Sequence, residues 1–357
     1  MSETFHSYEQ ALLNPLDVKT LIFSFNNSSH IEVENFLDER IKALINLEEL
    51  SIEGFEGTQL SLPTEISQLK NLKELSIFAR NLIEIPTIIW EMKSLNYLFL
   101  EINSIQNGSL QLSKLDQLKS VGFKIHNTEI LTSDVFDNVN VTRFYLKSDD
   151  LKEIPNHFDK LMNLNNLTLH CENLIKFPDT ISNLCNLKTI DVYNKSIKSI
   201  NINFNLLENI EEFRWGQISF FPTGINKAKS LKRLNLDVSS FETIDADELA
   251  FQSLEKLELS FCKLKKIPKC FETLDSIKTL DLGYSNFSEL DFDFKNLKNL
   301  SFLCFKRCEN FENIDITKFI KSISTITNLR YLETPRLTAQ QIKVRNKSRF
   351  DFEWIED

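Results

Sequence analysis

Six cysteines and five histidines are the side chains of this 357-residue chain best suited to nucleophilic or metal chemistry. Their spacing supports neither. Cys304 and Cys308 are placed as two ligands of a zinc site would be, but a closed site needs two further ligands at tight spacing. The histidines stand at His6, His30, His126, His157 and His170, with no pairing that would bring a base to a cysteine. No Gly-x-x-x-x-Gly-Lys-Ser/Thr phosphate loop occurs, and the chain holds only seven glycines. No catalytic residue, cofactor or metal is therefore assigned.

The chemistry that remains is recognition. Phe78, Tyr97, Phe99, Tyr145 and Tyr193 are interleaved with Lys124, Arg143, Lys147 and His170, and aromatic residues and arginine are the types enriched at binding hot spots. What aligns them is a repeat. The pattern apolar-x-x-apolar-x-apolar starts at Val18, Leu47, Leu72, Leu95, Leu118, Val141, Leu164, Leu187, Ile210, Leu231, Leu254, Ile277, Leu300 and Leu329. Successive starts are 29, 25, six times 23, 21, three times 23 and 29 residues apart.

Counting the first residue of a block as place one, the apolar fourth and sixth places alternate with polar ones, as in Leu72-Lys-Glu-Leu75-Ser-Ile77. Period two marks a short strand with one buried face. A second apolar cluster follows, often with proline, as at Leu62-Pro63, Ile85-Pro86, Ile154-Pro155, Phe177-Pro178, Phe221-Pro222 and Ile267-Pro268. Proline fixes φ and lacks an amide hydrogen, so these segments are expected to return as irregular chain or one-turn helix. A single unit buries too little to offset its ordering entropy, and stacking in series is required.

Residues 72–95 carry Leu72, Leu75, Ile77, Leu82, Ile85, Pro86, Ile89 and Leu95 in the pattern of the leucine-rich repeats, which the chain resembles over about residues 18–334. The 23-residue length with Ile-Pro is similar to the intracellular class of bacterial proteins and Ras-associated scaffolds. The resemblance implies an α/β solenoid, a horseshoe with a concave parallel sheet of about 14 strands and convex irregular or helical segments. The ninth place, where the family usually has a bonding asparagine, holds Asn26 and Asn103, Cys262 and Cys308, and elsewhere Arg80, His126, Asp149, Glu172, Lys195, Ser239 and Ser285. Looser loop geometry is expected from so degenerate a row. Enzymes of the family carry their catalytic cysteine in a separate domain, and no such domain is expected here.

The expected organisation is an N-terminal helical cap over 1–17, the repeat array over 18–334 and a C-terminal cap over 335–357. Ser7 to Leu13 reads as a short helix ending before Asn14-Pro15, and Thr338 as the cap of a helix through Val344, with Phe350, Phe352 and Trp354 folding back. The two 29-residue spacings predict helices of two to three turns within 33–44 and 316–326.

A net charge of −10 disfavours nucleic acid and anionic membrane as partners. Hydrophobic content is 42% and no apolar run reaches the length of a membrane span. The start carries no visible secretory signal, and the cysteines form no paired framework, so cytoplasmic location is expected. Asn-x-Ser/Thr triplets at Asn140, Asn166 and Asn299 are read as lying in strand blocks, where a glycan would obstruct the sheet.

Third, fifth and seventh places point away from the core. Glu49, Glu53, Glu74 and Glu101 make the early strands acidic, while Arg214, Arg233, Asp237, Lys256, Glu258 and Asp281 mix both signs later. Fourteen strands at about 4.8 Å give a face of roughly 900 Å², enough for one side of a protein interface. The expected function is a non-enzymatic scaffold that binds a protein or peptide on this sheet. A secreted or injected effector that binds a host regulatory protein is the alternative reading, and a structural or self-associating protein a second.

Overall fold

The computed structural model of the chain describes residues 4–25, 36–105, 110–244, 251–287, 290 and 292–357. Two compact units result, Met1–Leu184 and Cys185–Asp357. The first carries β1 (Thr4–Phe5), β2 (Thr20–Ser24), β3 (Glu49–Glu53), β4 (Glu74–Phe78), β5 (Tyr97–Ile102), β6 (Ser120–Ile125), β7 (Arg143–Lys147) and β8 (Asn166–His170). The second carries β9 (Thr189–Tyr193), β10 (Glu212–Gly216), β11 (Arg233–Asn235), β12 (Lys256–Glu258), β13 (Thr279–Asp281), β14 (Phe302–Cys304), β15 (Tyr331–Thr334) and β16 (Glu353–Glu356). Within each unit every strand pairs in parallel with the next in sequence. All fourteen expected blocks are strands, and β1 and β16 are additional.

The register follows from the apolar pattern. Leu75, Leu98, Val121, Phe144 and Leu167 are in line at the fourth place, and Ile77, Leu100, Phe123, Leu146 and Leu169 at the sixth. All are buried. A slip by one residue would turn these side chains out to solvent, so the pattern pins the pairing. Behind the sheet, the proline segments become single turns of 3-10 helix, with Pro63, Pro86, Pro178 and Pro268 each at the N-cap. Phenylalanines fill the space between: Phe136 packs on Phe158 at 4.8 Å and on Phe144 at 5.9 Å.

A column of bonding asparagines does occur, at another position than the ninth. It stands one place before several of the fourteen blocks: Asn46, Asn71, Asn140 and Asn163 in the first unit donate from Nδ2 to the carbonyls of Leu16, Ile45, Asp116 and Val139, at 2.8 to 3.1 Å. Asn209, Asn299 and Asn328 do the same in the second, to Cys185, Asp275 and Lys298. Each satisfies a loop carbonyl of the preceding repeat that the sheet ladder does not reach. Asn140 and Asn299 thus precede their strands rather than lie within them, and their side chains are spent in this row.

The inward residue after each strand also differs along the chain. After β4 to β9 alternation simply continues to the eighth place, burying Ala79, Ile102, Ile125, Ser148, Cys171 and Asn194. Arg80 and Asp149, at the ninth place, are exposed. After β10 to β14 Gln217, Val238, Phe261, Tyr284 and Arg307 hold the eighth place with φ of 49° to 68°. That left-handed residue delays the inward turn by one, and Ile218, Ser239, Cys262, Ser285 and Cys308 at the ninth place are the buried ones. The ninth place is therefore the inward one only where the eighth is left-handed, as it also is after β3, where Gly54 has φ of 72° and Phe55 is buried. Asn26 lies outside the described residues.

Three α-helices occur among the described residues. In α1 (Tyr8–Leu13) Ser7 caps the N-terminus and Tyr8 donates its hydroxyl hydrogen to Asp38 Oδ1 at 3.1 Å. In α2 (Ile316–Ile323), the expected helix of the last long spacing, Asp315 accepts from the amides of Thr317 and Lys318. The other long spacing differs: 33–35 lie outside the described residues, and the remainder forms only a 3-10 turn, Glu39–Ala43. Asp38 and Arg40 pull that turn toward Tyr8 and Glu9 instead of propagating a helix. In α3 (Ala339–Arg345) Thr338 and Gln341 form a reciprocal capping box. Trp354 on β16 donates from Nε1 to Thr334 Oγ1 at 2.8 Å and meets Phe319 of α2 at 6.3 Å.

Candidate functional site

Outward places of β4 to β8 bring eight of the nine expected recognition residues onto one face of the first unit. Three rows run across the strands. The third places give Glu74, Tyr97, Ser120, Arg143 and Asn166, the fifth Ser76, Phe99, Gly122, Tyr145 and Thr168, and the seventh Phe78, Glu101, Lys124, Lys147 and His170. Tyr193 lies on β9 of the second unit, where its ring lies beside Gly216.

The aromatic members touch. Phe78 and Phe99 have ring centroids 5.1 Å apart, Phe99 and Tyr145 6.1 Å, and Tyr145 and His170 5.9 Å. Phe99 reaches Tyr145 across an intervening strand because that strand has a glycine there. A Cβ on Gly122 would sit 2.7 Å from Phe99 Cδ2 and 3.6 Å from Tyr145 Cβ. The missing side chain lets the Phe99 ring lie over the β6 backbone, forming a half-buried aromatic shelf. Burial raises the Tyr145 hydroxyl above its ordinary range, and the charge of Glu101 adds to this. Tyr97 is raised by burial and by Glu74.

The charged members divide into paired and unpaired. Lys124 Nζ lies 2.7 Å from Glu101 Oε1, and His126 Nε2 lies 3.0 Å from the same oxygen. Burial pushes the Glu101 carboxyl up, but hydrogen bonds from Lys124 and His126 outweigh it and hold it below the usual carboxylate range. Lys124 is thereby spent within the sheet. Arg143, exposed, and Lys147, half-buried, make no ion pair with any described residue. Two cations thus flank the shelf with their charge unmet.

Gly122, Glu101 and His126 were not among the expected site residues. Gly122 had a signal, being a glycine at an outward place of a strand block. Glu101 and His126 had none, because their meeting depends on the neighbouring repeat. Two cysteines serve the loop backbone: Cys262 and Cys308 donate from Sγ to the carbonyls of Leu236 and Leu282 at 3.2 Å, and burial pushes both thiols up to about 12. Cys304 Sγ faces Glu333 at 3.6 Å.

The fold has close counterparts among solved structures. A leucine-rich repeat protein of Leptospira interrogans superposes with a TM-score of 0.65, at 21% identity, over 99% of this chain and 100% of that one. An internalin of Listeria monocytogenes gives 0.56, at 17% identity, over 97% and 88%. The chain is a leucine-rich repeat solenoid.

No family model matches this solenoid. In sequence it is similar to the human volume-regulated anion channel subunit LRRC8B, 26% identical over 231 residues, which is 55% of this chain and 28% of that protein. The rat subunit LRRC8D is 25% identical over 249 residues, 60% of this chain and 29% of that one. The adenylate cyclase of Schizosaccharomyces pombe is 25% identical over 278 residues, 75% of this chain and 14% of the enzyme. The solenoid thus spans less than a third of the length of each of these relatives. Among the described residues no helix is long and apolar enough to cross a membrane.

Proposed function

We propose that the chain is a non-enzymatic protein-interaction scaffold that binds a protein or peptide on the open face of β4 to β8. The observation that carries this reading is the shelf of Phe78, Phe99 and Tyr145, held over Gly122 and flanked by the unpaired Arg143 and Lys147. Rigid aromatic rings offer large contact area at low entropic cost, and a guanidinium adds directional bonds to carboxylates and carbonyls. Likeness to repeat proteins supports an interaction role at the level of the fold. Channel and cyclase activities belong to the much longer relatives and are not carried over.

In the same reading, residues 1–17 and 335–357 cover the ends of an array spanning 18–334. The location is taken as cytoplasmic, and no nucleic acid or membrane partner is assigned. Affinity enrichment with mass spectrometry would identify a binder, and titration calorimetry with Phe99→Ser, Arg143→Ala and Tyr145→Ser would test the face. Each substitution is expected to weaken that binder by about tenfold or more. Unchanged affinity in all three overturns the assignment.

A further inference from the structure

The second unit carries five side chains on backbone that disfavours them. Gln217, Val238, Phe261, Tyr284 and Arg307, each at the eighth place of its repeat, have positive φ, a conformation that clashes with Cβ and is rarest for β-branched and bulky residues. Glycine or asparagine would sit there at lower cost, so the large side chains are held against a local preference for small ones. Strain retained in this way points to use of the side chains themselves.

Their arrangement shows what that use is. Val238 is 55% and Phe261 49% exposed. The rings of Phe261 and Tyr284 stack at 3.7 Å and 15°, and the Arg307 guanidinium lies 5.8 Å from the Tyr284 centroid. The row thus already seats one cation on an aromatic face.

The adjoining outward places are small or acidic. Ser260 and Gly283 hold the seventh place beside Phe261 and Tyr284, with Asp237 preceding Val238, and Glu258 and Asp281 at the fifth. Most cations here are taken: Arg233 pairs with Glu212 at 2.9 Å, Lys256 with Glu258 at 2.8 Å and Lys306 with Asp357 at 3.5 Å, while the Arg307 guanidinium lies on the Tyr284 ring and reaches no carboxylate among the described residues. Asp237 and Asp281 meet no cation among the described residues and accept instead from the amides of Ser260 at 2.7 Å and Gly283 at 3.0 Å. Burial, then the charges of Glu258 and Asp281, push Asp237 up to about 6 against the Ser260 bond. Two carboxylates, Asp237 and Asp281, thus stand without a cation among the described residues beside exposed aromatic surface.

We propose that this face of the second unit is a separate docking surface for a basic segment of a partner protein, whose Arg or Lys side chains lie along Phe261 and Tyr284 and meet the carboxylates of Asp237 and Asp281. Alkyl stems and cations both gain from an aromatic face, and a partner cation supplies the countercharge that the chain itself withholds. This surface is independent of the shelf on the first unit and has the opposite charge preference.

The test is fluorescence anisotropy of the full chain with labelled peptides that alternate Gly with Arg, Lys or Glu, at an ionic strength of about 0.15 M. The Arg and Lys peptides are expected to bind and the Glu peptide not. Phe261→Asn with Tyr284→Asn, which suits the left-handed backbone, and Asp237→Asn with Asp281→Asn are each expected to weaken binding about tenfold. Because any chain of net charge −10 attracts basic peptides, Glu49→Gln with Glu74→Gln on the first unit serves as control and is expected to change affinity less than about twofold. Three results overturn the proposal: no binding of the Arg peptide, unchanged affinity in the Phe261/Tyr284 variant, or equal loss in the control and the Asp237/Asp281 variant.

Discussion

Two residues show how much a single side chain, or its absence, sets on these faces. Gly122→Val places a carbon within 2.7 Å of Phe99 Cδ2, so the ring must swing off the β6 backbone. A stability loss of about 1 to 3 kcal/mol in urea unfolding is expected, together with weaker binding of any partner of the shelf. Asp237 tests the other face through pH. Its folded pKa is raised from 3.8 to about 6, with burial the largest cause, so the folded state holds the proton more tightly than the unfolded chain. The cost of ionisation is absent below pH 3.8, grows as pH rises and is complete above about 6. Asp237→Asn is therefore expected to be more stable than the parent at pH 7, by on the order of 2 kcal/mol, and equal to it near pH 3. Urea titrations at the two pH values measure this. Glu101 carries the opposite sign: its depressed folded pKa contributes stability above the ordinary carboxylate range, lost as pH falls.

At the scale of elements, strands and returns were legible because one face of each is buried, which stamps period two and proline onto the chain. Helix ends were legible where a capping side chain stood at the right offset, as with Thr338 and Gln341. Thr338→Ala is expected to cost about 1 kcal/mol, read as a loss of amide protection confined to α3. The asparagines one place before several of the blocks form a column in the sequence, but the carbonyl each one meets lies in the repeat before it and is not written there. The eighth-place conformation in the second unit carried no such mark, since Val, Phe and Tyr are ordinary strand residues. Val238→Asn, which removes a β-branched side chain from φ of 59°, is expected to stabilise by about 1 kcal/mol in thermal unfolding.

At the scale of the whole molecule, a repeat unit packs on its sequence neighbours and little else, so damage should stay local. Leu146→Ala in the buried sixth place of β7 is expected to cost about 2 to 5 kcal/mol in the first unit. Hydrogen exchange should show faster opening of β6 to β8 with β13 to β15 unchanged. Loss of protection throughout both units would contradict nearest-neighbour stability. The same locality allows two recognition faces of different charge in one chain, because outward residues contribute little to the core and vary without disturbing it.

The amino-acid sequence by itself determined the repeat, the fourteen strands, their inward and outward places and hence eight residues that share a face, because burial imposes a period that composition cannot hide. Tertiary structure decided the rest. Whether Lys124 is free or paired depends on Glu101 one repeat away, and whether Phe99 reaches Tyr145 depends on the glycine between them. Whether the inward turn falls at the eighth or ninth place depends on the sign of one φ angle per repeat. Those are contacts and conformations between stacked units, and a pattern read along one chain does not contain the distance to the next.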